Sequence, residues 1–164
     1  FGGSPAPPKT EFLDELAECA FRLAESRIGA ILLIEREMGL AEHIEHGKKL
    51  DAHFSYELLA SILSTKSPMH DGAVILRGDR VAAAGVILPI PADLSFVKTM
   101  GTRHQAAWGV AADTDAVSIV ISEETGNVTV FYDRQMNRAS GAIELREILG
   151  LLFEIFGEVN GQES

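Results

Sequence analysis

The sequence has one cysteine, few basic residues and no long apolar run, and each shortage removes a class of protein. A lone thiol, Cys19, forms no disulfide within the chain, so cohesion must come from packing. At 164 residues the chain is long enough for one domain with one core, without disulfide or structural metal. Cys19 falls on the inner side of an amphipathic pattern, where a free thiol acts as a small hydrophobe and fits a reducing compartment. Lys and Arg number 14 against 24 Asp and Glu, a net charge of −10, which argues against a nucleic-acid or anionic-membrane surface. An anionic ligand would have to be met locally, by a few Arg or His side chains, helix N-termini or a bound cation. The longest apolar candidate, Val81 to Ile90, is broken by Gly85 and Pro89 and falls short of the roughly 18 to 20 residues of a membrane span. Internal repeats are absent, and low complexity is confined to the start, Phe1-Gly2-Gly3-Ser4-Pro5-Ala6-Pro7-Pro8. That start has no initiator methionine and reads as a flexible linker, residues 1–10, cut from something larger.

What remains is an ordinary folding composition, 46% hydrophobic and 23% charged. From Glu11 to Arg27 the residues Phe12, Leu13, Leu16, Ala17, Ala20, Leu23 and Ala24 recur at helical spacing, with acidic residues opposite. Gly29 to Ile34 (GAILLI) reads as a buried central strand, and Glu35-Arg36-Glu37 as the return to solvent. Gly39 to His46 suggests a short helix whose His43 and His46 are solvated, since a metal pair there has no third ligand nearby. Ser55 caps a second helix, Tyr56 to Leu63. Ala73 to Leu76 and Val81 to Leu88 form a hairpin around Arg77-Gly78-Asp79-Arg80, an Arg-Gly-Asp better read as turn chemistry than as an adhesion motif. Val117 to Ile121 and Val128 to Tyr132 make a second strand pair, Arg134 to Arg138 a polar link, and Ala142 to Phe156 a closing helix. Residues 158–164 read as a disordered tail, leaving one domain over residues 11–157.

Two stretches carry the chemistry. In Ser67-Pro68-Met69-His70-Asp71-Gly72, a polar turn delivers a histidine, a carboxylate and a glycine into the strand that starts at Ala73. Gly72 there leaves room for close approach of a ligand. Asp71-Gly72 also reads as plain turn chemistry. In Gly101-Thr102-Arg103-His104-Gln105, Thr102 followed by Gln105 matches a capping box, predicting that Thr102 is the N-cap of a helix running to about Ala112. Arg103 and His104 would then oppose the helix dipole, an arrangement that an anion on the same N-terminus relieves; the alternative is that they face solvent or nearby carboxylates. The hairpin Ser122-Glu123-Glu124-Thr125-Gly126-Asn127 adds two carboxylates that point in different directions.

Taken together, His70-Asp71-Gly72-Ala73, Gly101-Thr102-Arg103-His104 and Ser122-Glu123-Glu124-Thr125-Gly126 resemble the diadenylate cyclase (DAC) domain. Ile28 to Arg36 and Ser55 to Ile62 (SYELLASI) resemble its membrane-anchored CdaA-type branch, and the likeness covers residues 12 to 155. The resemblance implies an α/β (α+β) fold with a central, twisted, mixed and mostly antiparallel sheet flanked by helices. It implies that two ATP molecules become cyclic di-AMP and two pyrophosphates across a face-to-face homodimer, with a divalent cation, Mn²⁺, Mg²⁺ or Co²⁺. By the same resemblance Asp71, Gly72, Arg103 and His104 are catalytic, and His70 and Asp71 hold the metal. Gly72, Leu88, Gly101, Thr102, Arg103, Ser122 and Glu124 bind the nucleotide. The parent would be anchored in a bacterial membrane by helices before Phe1, with this domain cytoplasmic and open to a membrane-bound regulator. One departure stands out: where the family's motif usually continues Arg-His-Arg, this chain has Gln105, which removes a cation aimed at the triphosphate. Two further readings of the same residues are a silent nucleotide-binding module of the same fold and a metal-dependent phosphohydrolase.

Overall fold

The computed structural model describes residues 8–161, with side chains described as far as Phe153. The element order is α1 (Thr10–Glu25), β1 (Ala30–Ile34), α2 (Ala41–Ile44), β2 (Lys48–His53), α3 (Tyr56–Leu63), β3 (Ala73–Arg77) and β4 (Arg80–Val86). It continues with α4 (Thr102–Asp113), β5 (Val117–Ile121), β6 (Val128–Tyr132), β7 (Gln135–Ala139) and α5 (Ala142–Gly161). One sheet of seven strands runs in the order β2-β4-β3-β1-β5-β6-β7. Only β1 and β3 pair in parallel; every other pair is antiparallel. The expected mixed, mostly antiparallel sheet between helices is therefore present.

Strand β1 is apolar throughout because both of its faces are covered. Leu32 and Ile34 pack with α1, α3 and α5, among Leu16, Leu23, Leu59 and Leu149. Ile31 and Leu33 pack the other way, with Ile44 of α2 and Ala107 and Val110 of α4. The expected single core is thus two apolar layers divided by the sheet. Helix α4 approaches closely through small residues, Ala106, Ala107, Gly109 and Ala111, and Ser118 of β5 donates to the Ala107 carbonyl at 3.0 Å. Cys19 lies in the first layer, and burial pushes its thiol up to about 12.

Three local expectations need correction, and one strand was not expected. Glu35-Arg36 does not return to solvent: the two residues are 5% and 6% exposed. Glu35 accepts from Arg77 at 2.7 and 3.1 Å and from the Leu40 N–H at 2.8 Å. The Arg36 guanidinium lies over the rings of Tyr132 and Phe153, at 5.1 and 5.2 Å. Lys48–His53 is a strand that the sequence pattern did not suggest, and the polar link at 134–138 is largely β7. The closing helix runs on to Gly161, past Phe156. Ser55 does cap α3, accepting from the Leu58 N–H at 3.0 Å. Residues 1–7 and 162–164, the ends of the expected linker and tail, lie outside the described residues. No helix among the described residues is long and apolar enough to cross a membrane.

Burial pushes the Glu35 carboxyl up, but the Arg77 hydrogen bonds, the Leu40 N–H and the Arg77 charge together hold it below its usual range. Its contribution to stability is therefore full above the unfolded value, about 4.3, and is lost as pH falls through the folded value. Glu35→Ala also strands the buried Leu40 N–H and should destabilise the fold by about 2–3 kcal/mol at pH 7. Urea unfolding at pH 7 and pH 4 checks both points: the difference between wild type and variant should narrow at the lower pH.

Candidate active site

The first functional stretch is held by backbone geometry. Gly72 has φ +94, and a Cβ added there would sit 2.7 Å from the Val86 carbonyl oxygen. The glycine is therefore required by the close approach of β4, where the sequence suggested room for a ligand; a side chain would push the β3 and β4 backbones apart. Just before it, His70 Nδ1 lies 2.8 Å from the Ser67 carbonyl oxygen. A carbonyl only accepts, so Nδ1 carries a proton, and Nε2 is the ring atom turned to the other side. Nε2 lies 3.5 Å from Asp71 Oδ1, in a carboxylate side chain that is 77% exposed. The two atoms form an ion pair when the ring is protonated and suit a shared cation when it is neutral, and the Ser67 bond is the kind of outer partner that orients a ligating histidine. Among the described residues, no group of three or more His, Cys, Asp or Glu is arranged to hold a metal, so this pair leaves the remaining positions to substrate or water.

The second stretch starts α4, one residue earlier than expected. Gly101, not Thr102, is the N-cap, in extended conformation and with no side-chain cap bond. Gln105 does not close a capping box; its Nε2 donates to the Met100 carbonyl at 3.1 Å and approaches that of Val97 at 3.5 Å, tying the preceding loop to the helix. Arg103 lies across the backbone of Gly29, where any Cβ would meet its guanidinium at 2.7 Å, and pairs loosely with Glu123 at 3.6 Å. His104 turns toward Phe131, edge to face at 6.5 Å. Burial, then Arg138, then Arg103 hold its imidazole below the ordinary value.

These stretches meet in two adjoining clefts. One, of about 290 Å³, is lined by Asp71, Gly72, Ile87, Leu88, Thr102 and Arg103, among others. The second, of about 190 Å³, is lined by Gly101, Thr102, Arg103, His104, Ser122, Glu123 and Glu124. Thr102 and Arg103 belong to both and form the wall between them. Nine of the ten candidate residues thus line one cleft or the other, and His70 lines neither. Ser122 Oγ accepts from the Thr125 N–H at 3.2 Å, which leaves its own O–H to donate to a ligand. The cross-strand pair Thr129 and Arg138 was not singled out from the sequence; the alternation of β6 against an unrecognised β7 was the missing signal. A larger hollow of about 380 Å³ opens between α2, β2 and β4, where Arg77 and Arg80 are already paired with Glu35 and Asp51.

The model of the DisA bacterial checkpoint controller nucleotide-binding (DAC) family matches residues 17–136. The chain belongs to that family. It is 42% identical over 132 residues to the cyclic di-AMP synthase CdaA of Bacillus subtilis, across 80% of this chain and 48% of the relative. It is 39% identical over 127 residues to a diadenylate cyclase of Listeria monocytogenes, across 77% and 46%. The chain therefore spans about half the length of these curated relatives. The crystal structure of a double mutant of DacA from Staphylococcus aureus superposes with a TM-score of 0.80 at 34% identity, covering 87% of this chain and 95% of that one. A hypothetical membrane-spanning protein of Bacillus cereus gives 0.75 at 30% identity, covering 82% and 65%.

Two outcomes test this geometry. Because its folded value is depressed, His104 contributes stability in full above 6.5, and that contribution is lost as pH falls from there through the folded value. NMR titration should put its midpoint below 6.5, and Arg138→Gln should raise it. Gln105→Arg should lose the Met100 bond, lowering stability by about 1 kcal/mol in thermal or urea unfolding. Since Gln105 lines neither cleft, nucleotide affinity measured by calorimetry should stay within about twofold.

Proposed function

We propose that this domain is a diadenylate cyclase, which condenses two ATP molecules into cyclic di-AMP and releases two pyrophosphates. The observation that carries the reading is the shared wall: Thr102 and Arg103 border both the cleft of Asp71, Gly72 and Leu88 and the cleft of Ser122 and Glu124. A nucleoside suits the first, against Leu88 and Ile87, with backbone groups near Leu88 reading the edge of the base. The triphosphate suits the second, on the free N–H groups of α4, the Arg103 guanidinium and the Ser122 hydroxyl. A neutral His104 adds a hydrogen bond without a permanent charge.

In this reading the 3′-hydroxyl of one nucleotide attacks the α-phosphorus of the other. A new phosphodiester bond forms, the bond to the β-phosphate breaks, and pyrophosphate leaves. Asp71 takes the hydroxyl proton. Its carboxylate lines the cleft and is 77% exposed, so it is open to a nucleotide held by a facing copy. Two such steps, one in each direction, close the ring, which is why the working unit is a homodimer with ATP bound in each half. Most of the acceleration then comes from alignment of the two reacting groups. A divalent cation, Mn²⁺, Mg²⁺ or Co²⁺, would be held by His70 Nε2 and Asp71 and would supply positive charge beside the phosphate oxygens.

The names of the relatives, cyclic di-AMP synthase and diadenylate cyclase, support this activity. The membrane-spanning neighbour supports a parent protein anchored in a membrane outside the described residues. In this reading the domain lies on the cytoplasmic side, within reach of a membrane-bound regulator.

Purified chain incubated with ATP and Mn²⁺, analysed by mass spectrometry, should yield cyclic di-AMP. Asp71→Asn should reduce that yield by about 10²–10⁴-fold while circular dichroism and melting stay unchanged, since the side chain is 77% exposed. ADP or AMP as the main product would point to phosphohydrolysis, and binding without product to a silent module.

A further inference from the structure

We infer that Arg138 of β7, together with the buried hydroxyl of Thr129 on β6, forms a subsite for the terminal phosphates of the bound nucleotide and for the pyrophosphate that leaves. The inference rests on the nucleotidyl-transfer reading and extends it to residues outside the motif stretches. A recess of about 160 Å³ adjoins the phosphate cleft and does not include Asp71 in its lining. Gly101, His104 and Ser122 line both spaces, and Thr129 and Arg138 line the recess alone. Thr129 is 1% exposed, and its Oγ1 has no hydrogen-bond partner. A buried hydroxyl without a partner is costly to keep, unless a ligand supplies the missing bond.

Register supplies the second half of the site. Thr129 and Arg138 are directly opposed across the β6–β7 pair, so their side chains stand together on one face. That face is the one His104 packs against, and the charge of Arg138 is felt at the His104 ring. Arg138 is exposed and forms no ion pair among the described residues. The carboxylates of the hairpin, Glu123 and Glu124, line the neighbouring cleft and not this recess. The recess thus joins the start of the twelve-residue helix α4, one free guanidinium and one unpaired hydroxyl, a donor set with no resident anion among its own side chains. With the α-phosphate at Thr102 and Arg103, the β- and γ-phosphates extend toward Ser122, His104 and Arg138. The bond that breaks then lies between the two groups of residues. The leaving pyrophosphate remains held by donors that do not touch the nucleoside.

Calorimetric titrations of the whole chain with inorganic pyrophosphate, α,β-methylene-ATP and AMP test this. Arg138→Gln should weaken pyrophosphate and the triphosphate analogue about tenfold and leave AMP within about twofold, with the loss shrinking as salt is raised. Thr129→Val should weaken pyrophosphate about threefold without lowering the melting temperature, because it removes a hydroxyl that has no partner in the unliganded fold. In turnover assays Arg138→Gln should raise KM for ATP and relieve inhibition by pyrophosphate. Unchanged pyrophosphate affinity in both variants, or an equal loss for AMP, overturns the subsite while leaving cyclisation by the wild type intact. A wild type that makes no cyclic di-AMP and binds no ATP analogue overturns the nucleotidyl-transfer reading, and the subsite with it.

Discussion

The register of β1 with its two neighbours governs everything built at the site. Leu32 pairs with Val74 in parallel, and Ala30 pairs with Ile121 antiparallel, so the N-terminal end of β1 lies beside the start of β3 and the end of β5. Ala73 in turn pairs with Val86, which brings the end of β4 to the same edge. The single parallel pairing in an otherwise antiparallel sheet therefore gathers Asp71-Gly72, Leu88 and Ser122-Glu124 from three separate parts of the chain. A slip of one residue at β1 would exchange its two apolar faces, Leu32 and Ile34 for Ile31 and Leu33, so the register is held by the fit of these particular side chains in their two layers and by pairing with β3 and β5 on either side. Gly29, immediately before the strand, completes the edge by leaving space for the Arg103 guanidinium.

The chain carries a net charge of −10, yet the ligand proposed for its clefts is an anion. Long-range attraction cannot do this, because the overall field repels a triphosphate and salt screens it beyond about 10 Å. The structure works at short range. The first N–H groups of α4 are free of intrahelical partners, Arg103 is only loosely paired with Glu123, and Arg138 stands on the far side of His104. Packing three cationic groups together would be self-defeating in a half-buried space, and the fold avoids this by keeping His104 neutral through burial and through the two arginines themselves. What remains is a pair of permanent charges separated by a neutral donor, an arrangement that would spread positive potential along the phosphates of the proposed nucleotide.

The elements legible in the sequence are those in which period and burial coincide. The stripe of α1, the doubly buried run of β1, the Ser55 cap and the β5–β6 hairpin all follow from local pattern. The two edge strands do not. In β2 the residues Lys48, Lys49 and Asp51 face water, and a register shift between Lys49 and Ala52 with Asp51 at φ +49 breaks the alternation. In β7 only Ala139 is buried, so nothing apolar distinguishes that strand from a loop. Glu35 and Arg36 look like a solvated turn because their partners, Arg77, Tyr132 and Phe153, are distant in the chain. At α4 the Thr102 to Gln105 spacing suits a capping box, but Gly101 takes the extended cap conformation and Gln105 finds loop carbonyls instead. The motif residues were readable as types and spacings. Arg138 was not, since its place at the site depends on the pairing of a strand that carries no local signal.

In the proposed reaction the site is half of something. A cyclic dinucleotide has two equivalent phosphodiester links, and the simplest catalyst for two equivalent bonds has two equivalent halves. Each chain offers the cleft proposed for the nucleoside, the cleft proposed for the phosphates and the exposed carboxylate of Asp71, which lies beside a histidine held by Ser67. Among the described residues His70 and Asp71 form no complete cation cage, so further donors must arrive with the nucleotide. Apolar side chains at the lip of the cleft, Ile87 and Ile90, are 62% and 48% exposed. Covering those residues with a second copy would bury apolar surface and bring each Asp71 toward the opposite nucleotide. The contacts that hold the pair together and the geometry that aligns attack on the α-phosphorus would then be one arrangement, and catalysis would depend on association because neither half aligns both reactants alone.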